Sequence, residues 1–180
     1  MKKALALIVA CLLLAGCSLF APKEIEFTVY RTPADGSEFL VAEKIQMKNN
    51  DKSMAENVIQ HLINVKPASD LAYEDYLPEG TKLLGIEVKD GIAYVNFSKE
   101  VSKKTMGSYE ATMFIGSIVN SLTELPEVKA VQILIEGKKK VMYCGVLDIE
   151  EPLERNESIL PSANNAAPAT TEAATTTEQK

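Results

Sequence analysis

Apolar and polar positions change period several times along the chain, and each change marks an element. IEFTVYR (25–31) alternates Ile25, Phe27 and Val29 with polar residues, which predicts a strand. EFLVAEKIQM (38–47) follows the Asp35-Gly36 turn signal and predicts a second, looser strand. Then the period lengthens. Ser53 with Glu56 three residues later fits a capping box. Met54, Val58, Leu62 and Val65 follow at helical spacing. Pro67 biases Lys66 away from the helical region, so this helix is expected to stop near Val65.

LPEGTKLLGIEVKDGIAYVNFSKE (77–100) returns to the short period. Pro78 and Gly80 stand where a type I turn wants them. Asp90-Gly91 is a strong two-residue hairpin signal. That turn sets a register: Lys89 opposite Ile92, Val88 opposite Ala93, Ile86 opposite Val95 and Leu84 opposite Phe97. Leu84, Ile86, Val88, Ala93, Val95 and Phe97 then share one apolar face that must be covered. Gly85, Glu87, Lys89, Ile92, Tyr94 and Asn96 share the other, mostly polar face. A second helix is predicted from about Ser108 to Leu125. Ala111, Phe114, Ile118, Leu122 and Leu125 form its stripe, widened by Ile115 and Val119, and Gly116 among them fits close packing. AVQILIE (130–136) reads as a strand, and KKKVMYCGV as its hairpin partner. The order β, β, α, ββ, α, ββ predicts an α+β two-layer sandwich, two helices on one face of a mostly antiparallel or mixed sheet.

The pattern lapses at both ends. Lys2 and Lys3 precede an apolar run from Ala4 to Ala15, the layout of a secretory signal peptide over residues 1–16. The run is shorter than the ~20 residues that span a bilayer. Leu14-Ala15-Gly16-Cys17 resembles a bacterial lipobox, where the chain is cut before the cysteine and the cysteine receives diacylglycerol. Two acyl chains hold a protein stably where one does not. Cys17 is therefore the expected lipid attachment, with the protein on the extracytoplasmic face of the cell membrane. Residues 17–24 are expected to be a tether, 25–153 one domain, and 154–180 a disordered tail rich in Ala, Thr and Pro.

Charge narrows the partners. The formal charge of −6 becomes −8 when Lys2 and Lys3 leave with the signal. This argues against nucleic acid and against anionic lipid as electrostatic partners of the whole chain. Lys138-Lys139-Lys140 is the local exception. It reads as a charged hairpin tip that keeps an edge strand soluble, or as a contact for an anionic cell-wall polymer.

Little points to chemistry. Cys11 leaves with the signal and Cys17 carries lipid, so Cys144 has no disulfide partner and the domain must be held by its core. Cys144 in VMYCGV is expected to be a buried small hydrophobe. His61 is the only histidine, beside the apolar stripe of the first helix, with no cysteine or second histidine to complete a metal site. Sequence order alone does not decide a Ser–His–Asp arrangement, but no nucleophile-elbow motif surrounds any serine. Glu43, Glu56, Glu74, Asp75, Glu87 and Glu100 read as solvated faces and caps. Tyr73 and Tyr76 in ASDLAYEDYLP form either a carbohydrate or peptide platform or a pin for their loop. No catalytic, cofactor or metal residue is expected.

One resemblance covers roughly residues 38–153. Leu77-Pro78-Glu79-Gly80-Thr81, then DGIAYVNFS (90–98), a helix ending SLTELPEV and a strand ending Glu136-Gly137 resemble the GerMN domain of bacterial lipoproteins, the sporulation and spore germination domain. The shared motifs are turns, a hairpin and helix ends, so no catalytic residue carries over. The resemblance implies a cell-envelope protein of a bacterium, from a spore-forming lineage, whose fold is similar to ring-building modules that associate through sheet and helix faces. Three readings remain: an anchored assembly module that binds itself or an envelope protein, a lipoprotein capturing a wall fragment or small solute near Tyr73 and Tyr76, and an envelope hydrolase using His61.

Overall fold

The computed structural model describes residues 24–48, 52–66 and 76–161. Strands β1 (Glu24–Arg31) and β2 (Val41–Lys48) form an antiparallel pair with Phe27 opposite Ile45. Helix α1 (Met54–Asn64) starts at Ser53, whose side chain accepts the Glu56 N–H at 3.1 Å. It ends at Val65, as Pro67 requires. Val65 has left the helical conformation and is 44% exposed, so it drops out of the stripe that buries Val58.

Strands β3 (Leu83–Lys89) and β4 (Ile92–Phe97) are joined by Asp90 and Gly91, both at positive φ (54° and 81°), the conformation this hairpin turn demands. Pairing from Lys89–Ile92 to Gly85–Asn96 follows the expected register. Beyond it the register shifts: Phe97 pairs with Leu83, not Leu84. The bulge turns Leu84 outward to 49% exposure, so it leaves the apolar face it was assigned to.

A short 3₁₀ turn (Lys99–Ser102) leads to α2 (Ser108–Leu122). The Glu110 carboxylate accepts the Gly107 N–H at 2.8 Å and caps its start. The helix ends three residues before the expected Leu125. Thr123 turns its N–H and its hydroxyl back to the Val119 carbonyl, and Leu125 is buried in the turn that follows. β5 (Ala130–Ile135) then lies parallel to β4, from Ile92–Ala130 to Phe97–Ile135. β6 (Lys138–Lys139) and β9 (Leu153–Glu154) pair with the other side of β5, while β7 (Met142–Tyr143) and β8 (Leu147–Asp148) form a small hairpin. Between β6 and β9, buried Gln132 fills the gap with its amide, donating to Ile149 O at 3.1 Å.

The class is the expected α+β arrangement, with α1 and α2 in contact and covering one face of a mixed sheet. Among the described residues the strands divide among three sheets: β3–β4–β5 with β6 and β9, and the pairs β1–β2 and β7–β8. The β1–β2 pair packs on α2 as well. Helix α2 is therefore buried nearly all round. Phe114, Ile118 and Leu122 join the main core, while Met113 packs with Tyr30, Leu40 and Ile159 in a second, smaller cluster. Ser117, Asn120 and Ser121 on α2 are buried too, and each finds a hydrogen-bond partner.

The C-terminal boundary differs from expectation. Residues 154–161 do not begin a tail; they pack on the domain. Ile159 is 8% exposed and lies over Gly116, where a Cβ would overlap its Cδ1. Asn120 clamps Asn156 through both halves of its amide, donating to Asn156 O at 3.0 Å and accepting Asn156 N–H at 2.8 Å. Leu40 N–H donates to Ile159 O at 2.7 Å. Leu153 and Ile159 supply the apolar anchors that overall tail composition obscures. The signal segment, Cys17 and residues 162–180 lie outside the described residues.

Candidate functional site

The residues with most chemical potential gather where α1 ends against β1 and β2. Arg31 ends the alternation of β1, and Glu43 stands on β2 beside it. Arg31 Nε meets Glu43 Oε2 at 2.8 Å, with both side chains almost wholly buried. The same guanidinium donates to the carbonyls of Leu62 at 3.3 Å and Val65 at 3.0 Å, the terminal carbonyls of α1. Glu43 is thus not the solvated carboxylate expected, because Arg31 and the helix end enclose it. His61 Nε2 lies 3.9 Å from the same carboxylate oxygen. Burial first, and the nearby Arg31 second, hold the imidazole below the ordinary histidine range against the pull of Glu43. His61 is therefore neutral at pH 7. Among the described residues no serine or cysteine donates to it, and Nε2 has no hydrogen-bond partner. The cluster ties a helix end to a hairpin, and among the described residues it presents no base to a nucleophile.

Beside it is a cavity of about 40 Å³, lined by Arg31, Ile59, Leu62, Tyr76, Phe97 and Phe114 among others. That volume admits a few waters, whereas ligand sites run to roughly 300–1,000 Å³. Tyr76 turns its ring toward Lys104, whose Nζ lies 4.9 Å from the ring centre. It behaves as a loop pin more than a platform. Tyr73, Glu74 and Asp75 lie outside the described residues.

Cys144 is half-buried at φ 50°, and its thiol donates to Lys104 O at 3.3 Å. Its neighbour Tyr143 is buried, donates to Val101 O at 2.7 Å and packs on Phe114. Burial, then Cys144, push the Tyr143 phenol far up. Glu56 and Glu100 pair with Lys52 and Lys103, as expected for caps and faces. Hydrogen bonding by Ser98 and its own turn, then Lys103, holds the Glu100 carboxyl down to about 2. Among the described residues no group of His, Cys, Asp and Glu is arranged to hold a metal ion, and no helix is long and apolar enough to cross a membrane.

The surface has more to offer. The face of the main sheet away from the helices carries Glu87, Lys89, Ile92, Tyr94 and Asn96, as the hairpin register requires, and Leu134 from β5 joins them beside Asn96. Ile92, Tyr94 and Leu134 are only half-buried. β3 borders this face, and among the described residues only β4 pairs with it, so its other edge and the exposed Leu84 carry no described strand.

Sequence reading missed one network altogether. Arg155 donates to Glu157, Asn120 O, Thr123, Tyr30 and Glu124, with its guanidinium over the Tyr30 ring. Tyr30 donates in turn to Glu124 at 2.8 Å, and burial, then Glu124, push its phenol up. The partners stand up to 125 residues apart, so no local motif announces them.

The chain matches the Germane family, described as sporulation and spore germination, over residues 28–141. Its structure is similar to the tandem GerMN domains of the sporulation protein GerM from Bacillus subtilis, with a TM-score of 0.63 and 26% identity over 81% of this chain and 50% of that one. The first GerMN domain of the same protein gives a TM-score of 0.60 at 20% identity, over 73% of this chain and 98% of that one. A candidate lipoprotein from Clostridium perfringens gives 0.51 at 25% identity, over 76% and 89%. The chain thus spans about half the length of the tandem protein. Among curated proteins none matches it in sequence.

Proposed function

The chain belongs to the sporulation and spore germination family and carries a GerMN-type domain, and from that premise we propose that it is a lipid-anchored, non-catalytic interaction module of the bacterial envelope, serving sporulation or germination. The anchor is Cys17, supported by the basic start, the short apolar run and the lipobox-like LAGC. The similarity to a candidate lipoprotein adds to that. The tether is 17–24, and the contact surface belongs to the domain behind it.

One observation carries the interaction reading. The main sheet is covered by helices on one face and leaves Ile92, Tyr94 and Leu134 half-exposed on the other, beside a β3 edge that pairs with no strand among the described residues. An open edge strand accepts another strand through main-chain hydrogen bonds, and a flanking apolar strip adds buried area. The simplest occupant is a second copy of the chain, and an envelope protein would dock by the same chemistry. Two measurements test the proposal. Radiolabelled palmitate is expected to enter the protein and to be lost in Cys17→Ser, which then leaves the detergent phase; labelling independent of Cys17 would contradict the anchor. Leu84→Lys on the β3 edge is expected to abolish co-purification of differently tagged copies without lowering the melting temperature.

A further inference from the structure

Six exposed lysines collect at the end of the domain where β4 and β5 finish. Lys82 and Ser98 exchange hydrogen bonds across the start of β3 and the end of β4. Lys99 N–H donates to Glu136 at 2.8 Å, which brings the turn after β4 against the turn after β5. Lys103 follows in the same turn, and Lys138, Lys139 and Lys140 leave the second one. The β7–β8 hairpin joins this end through Cys144 on Lys104 O and Tyr143 on Val101 O. Lys103 pairs with Glu100; among the described residues none of the other five forms an ion pair. The carboxylates beside the lysines include Glu79, Glu100, Glu136 and Asp148, and three are engaged, Glu100 with Lys103, Glu136 with the Lys99 N–H and Asp148 with the Glu150 N–H; Asp35, Glu38 and Glu110 stand around the start of α2 at the same end.

The same end exposes apolar side chains. Val141 is 57% exposed, Met142 43% and Val146 38%, all within one short hairpin that begins directly after the lysine run. The opposite end mixes its charges: Asp90, Glu124, Glu127, Glu154 and Glu157 stand there with Lys89, Lys129 and Arg155, and Arg155 pairs with Glu124 and Glu157. The lysine run has no counterpart there, although the chain is negative overall.

We infer that the lysine end docks on the surface of an anionic lipid bilayer, the lysines meeting phosphate headgroups while Val141, Met142 and Val146 enter the interfacial layer. Lysine run and exposed apolar group together carry this. A soluble polyanion such as a wall polymer needs the cations alone and gains nothing from three bare apolar side chains, whereas an interfacial site uses both. The net negative charge is no obstacle, because attraction falls off within about 8 Å at physiological salt and only the docking end comes that close. The inference does not rest on lipidation of Cys17.

The test uses residues 17–180 carrying Cys17→Ser and Cys144→Ser, with a polarity-sensitive fluorophore on Met142→Cys or, as a control at the opposite end, on Glu127→Cys. The residue 142 probe is expected to shift to the blue on phosphatidylcholine vesicles containing phosphatidylglycerol and not on phosphatidylcholine alone; the residue 127 probe is expected to stay unchanged. Each lysine near such a surface is worth roughly fivefold in affinity. Lys138→Glu, Lys139→Glu and Lys140→Glu together should raise the half-saturating lipid concentration roughly a hundredfold. The corresponding Lys→Gln set, which adds no new carboxylates, should raise it as well while leaving the melting temperature in place. No shift at residue 142 on the anionic vesicles would overturn the inference, as would an equal shift at residue 127. An equal shift with soluble polyphosphate in place of vesicles would overturn it in favour of a polyanion.

Discussion

At one end of the β4–α2–β5 unit, a single arginine makes five hydrogen bonds; at the other, five lysines make no ion pair among the described residues. Arg155 closes its end. It satisfies the carbonyl of Asn120 in the last turn of α2, fixes Glu124 and stacks on Tyr30, so β1, α2 and the C-terminal segment are locked together. Among the described residues no single side chain gathers the lysine end in this way; Tyr143, Cys144 and Glu136 each make one bond across it, and Val141 and Met142 remain bare. Cations near a closed core are consumed by structure, and those left unpaired are available to something outside the molecule. Net charge averages over this difference and hides it.

The sharpest way to break the closed end is to stop the chain after Leu153. This removes Arg155, the Asn156 clamp on Asn120 and the Ile159 anchor over Gly116. Burying one such isoleucine is worth about 1.5–3 kcal/mol by itself, against a total of about 5–15 kcal/mol for a domain. The truncated chain is expected to show a much lower urea midpoint or no cooperative transition. Arg155→Ala alone should cost about 1.5–3 kcal/mol, since it deletes charge-assisted bonds and leaves Glu124 with Tyr30 only; the same urea titration reads it.

A smaller effect is expected from pH. Burial and Arg31 hold the folded His61 below its ordinary value of 6.5, so the unfolded chain takes up the proton first as pH falls. The contribution is fully present above about pH 6.5 and declines below it, toward the depressed folded value. His61→Gln should flatten that part of a plot of urea midpoint against pH. Smallest of all, Lys138→Gln, Lys139→Gln and Lys140→Gln together should change stability by only about 0.5 kcal/mol, as exposed positions generally do. A large loss there would mean that the lysine end is structural after all.

Where sequence reading succeeded, the cause was local. Asp90-Gly91 dictates its own turn, and the register of β3 on β4 follows from it for five pairs. The stripe on α2 is set by a period that any helix must obey. The misses share a different cause. Leu84 is displaced by a bulge, which costs the sequence no visible motif. Glu43 reads as a surface carboxylate until Arg31 and the end of α1 close over it. The 154–161 segment looks like the start of a tail because its partners, Asn120, Gly116 and Leu40, are far away in the chain. The candidate contact face was half legible: Ile92 and Tyr94 follow from the hairpin, but Leu134 beside Asn96 depends on the parallel pairing of β5.

Sedimentation velocity over a wide concentration range, on residues 17–180 carrying Cys17→Ser, tests most directly whether the half-exposed strip of Ile92, Tyr94 and Leu134 is a contact surface. Docking of a second copy predicts a mass that rises with concentration, and a Tyr94→Glu variant that stays monomeric throughout. A concentration-independent monomer, or association that Tyr94→Glu leaves untouched, would contradict it.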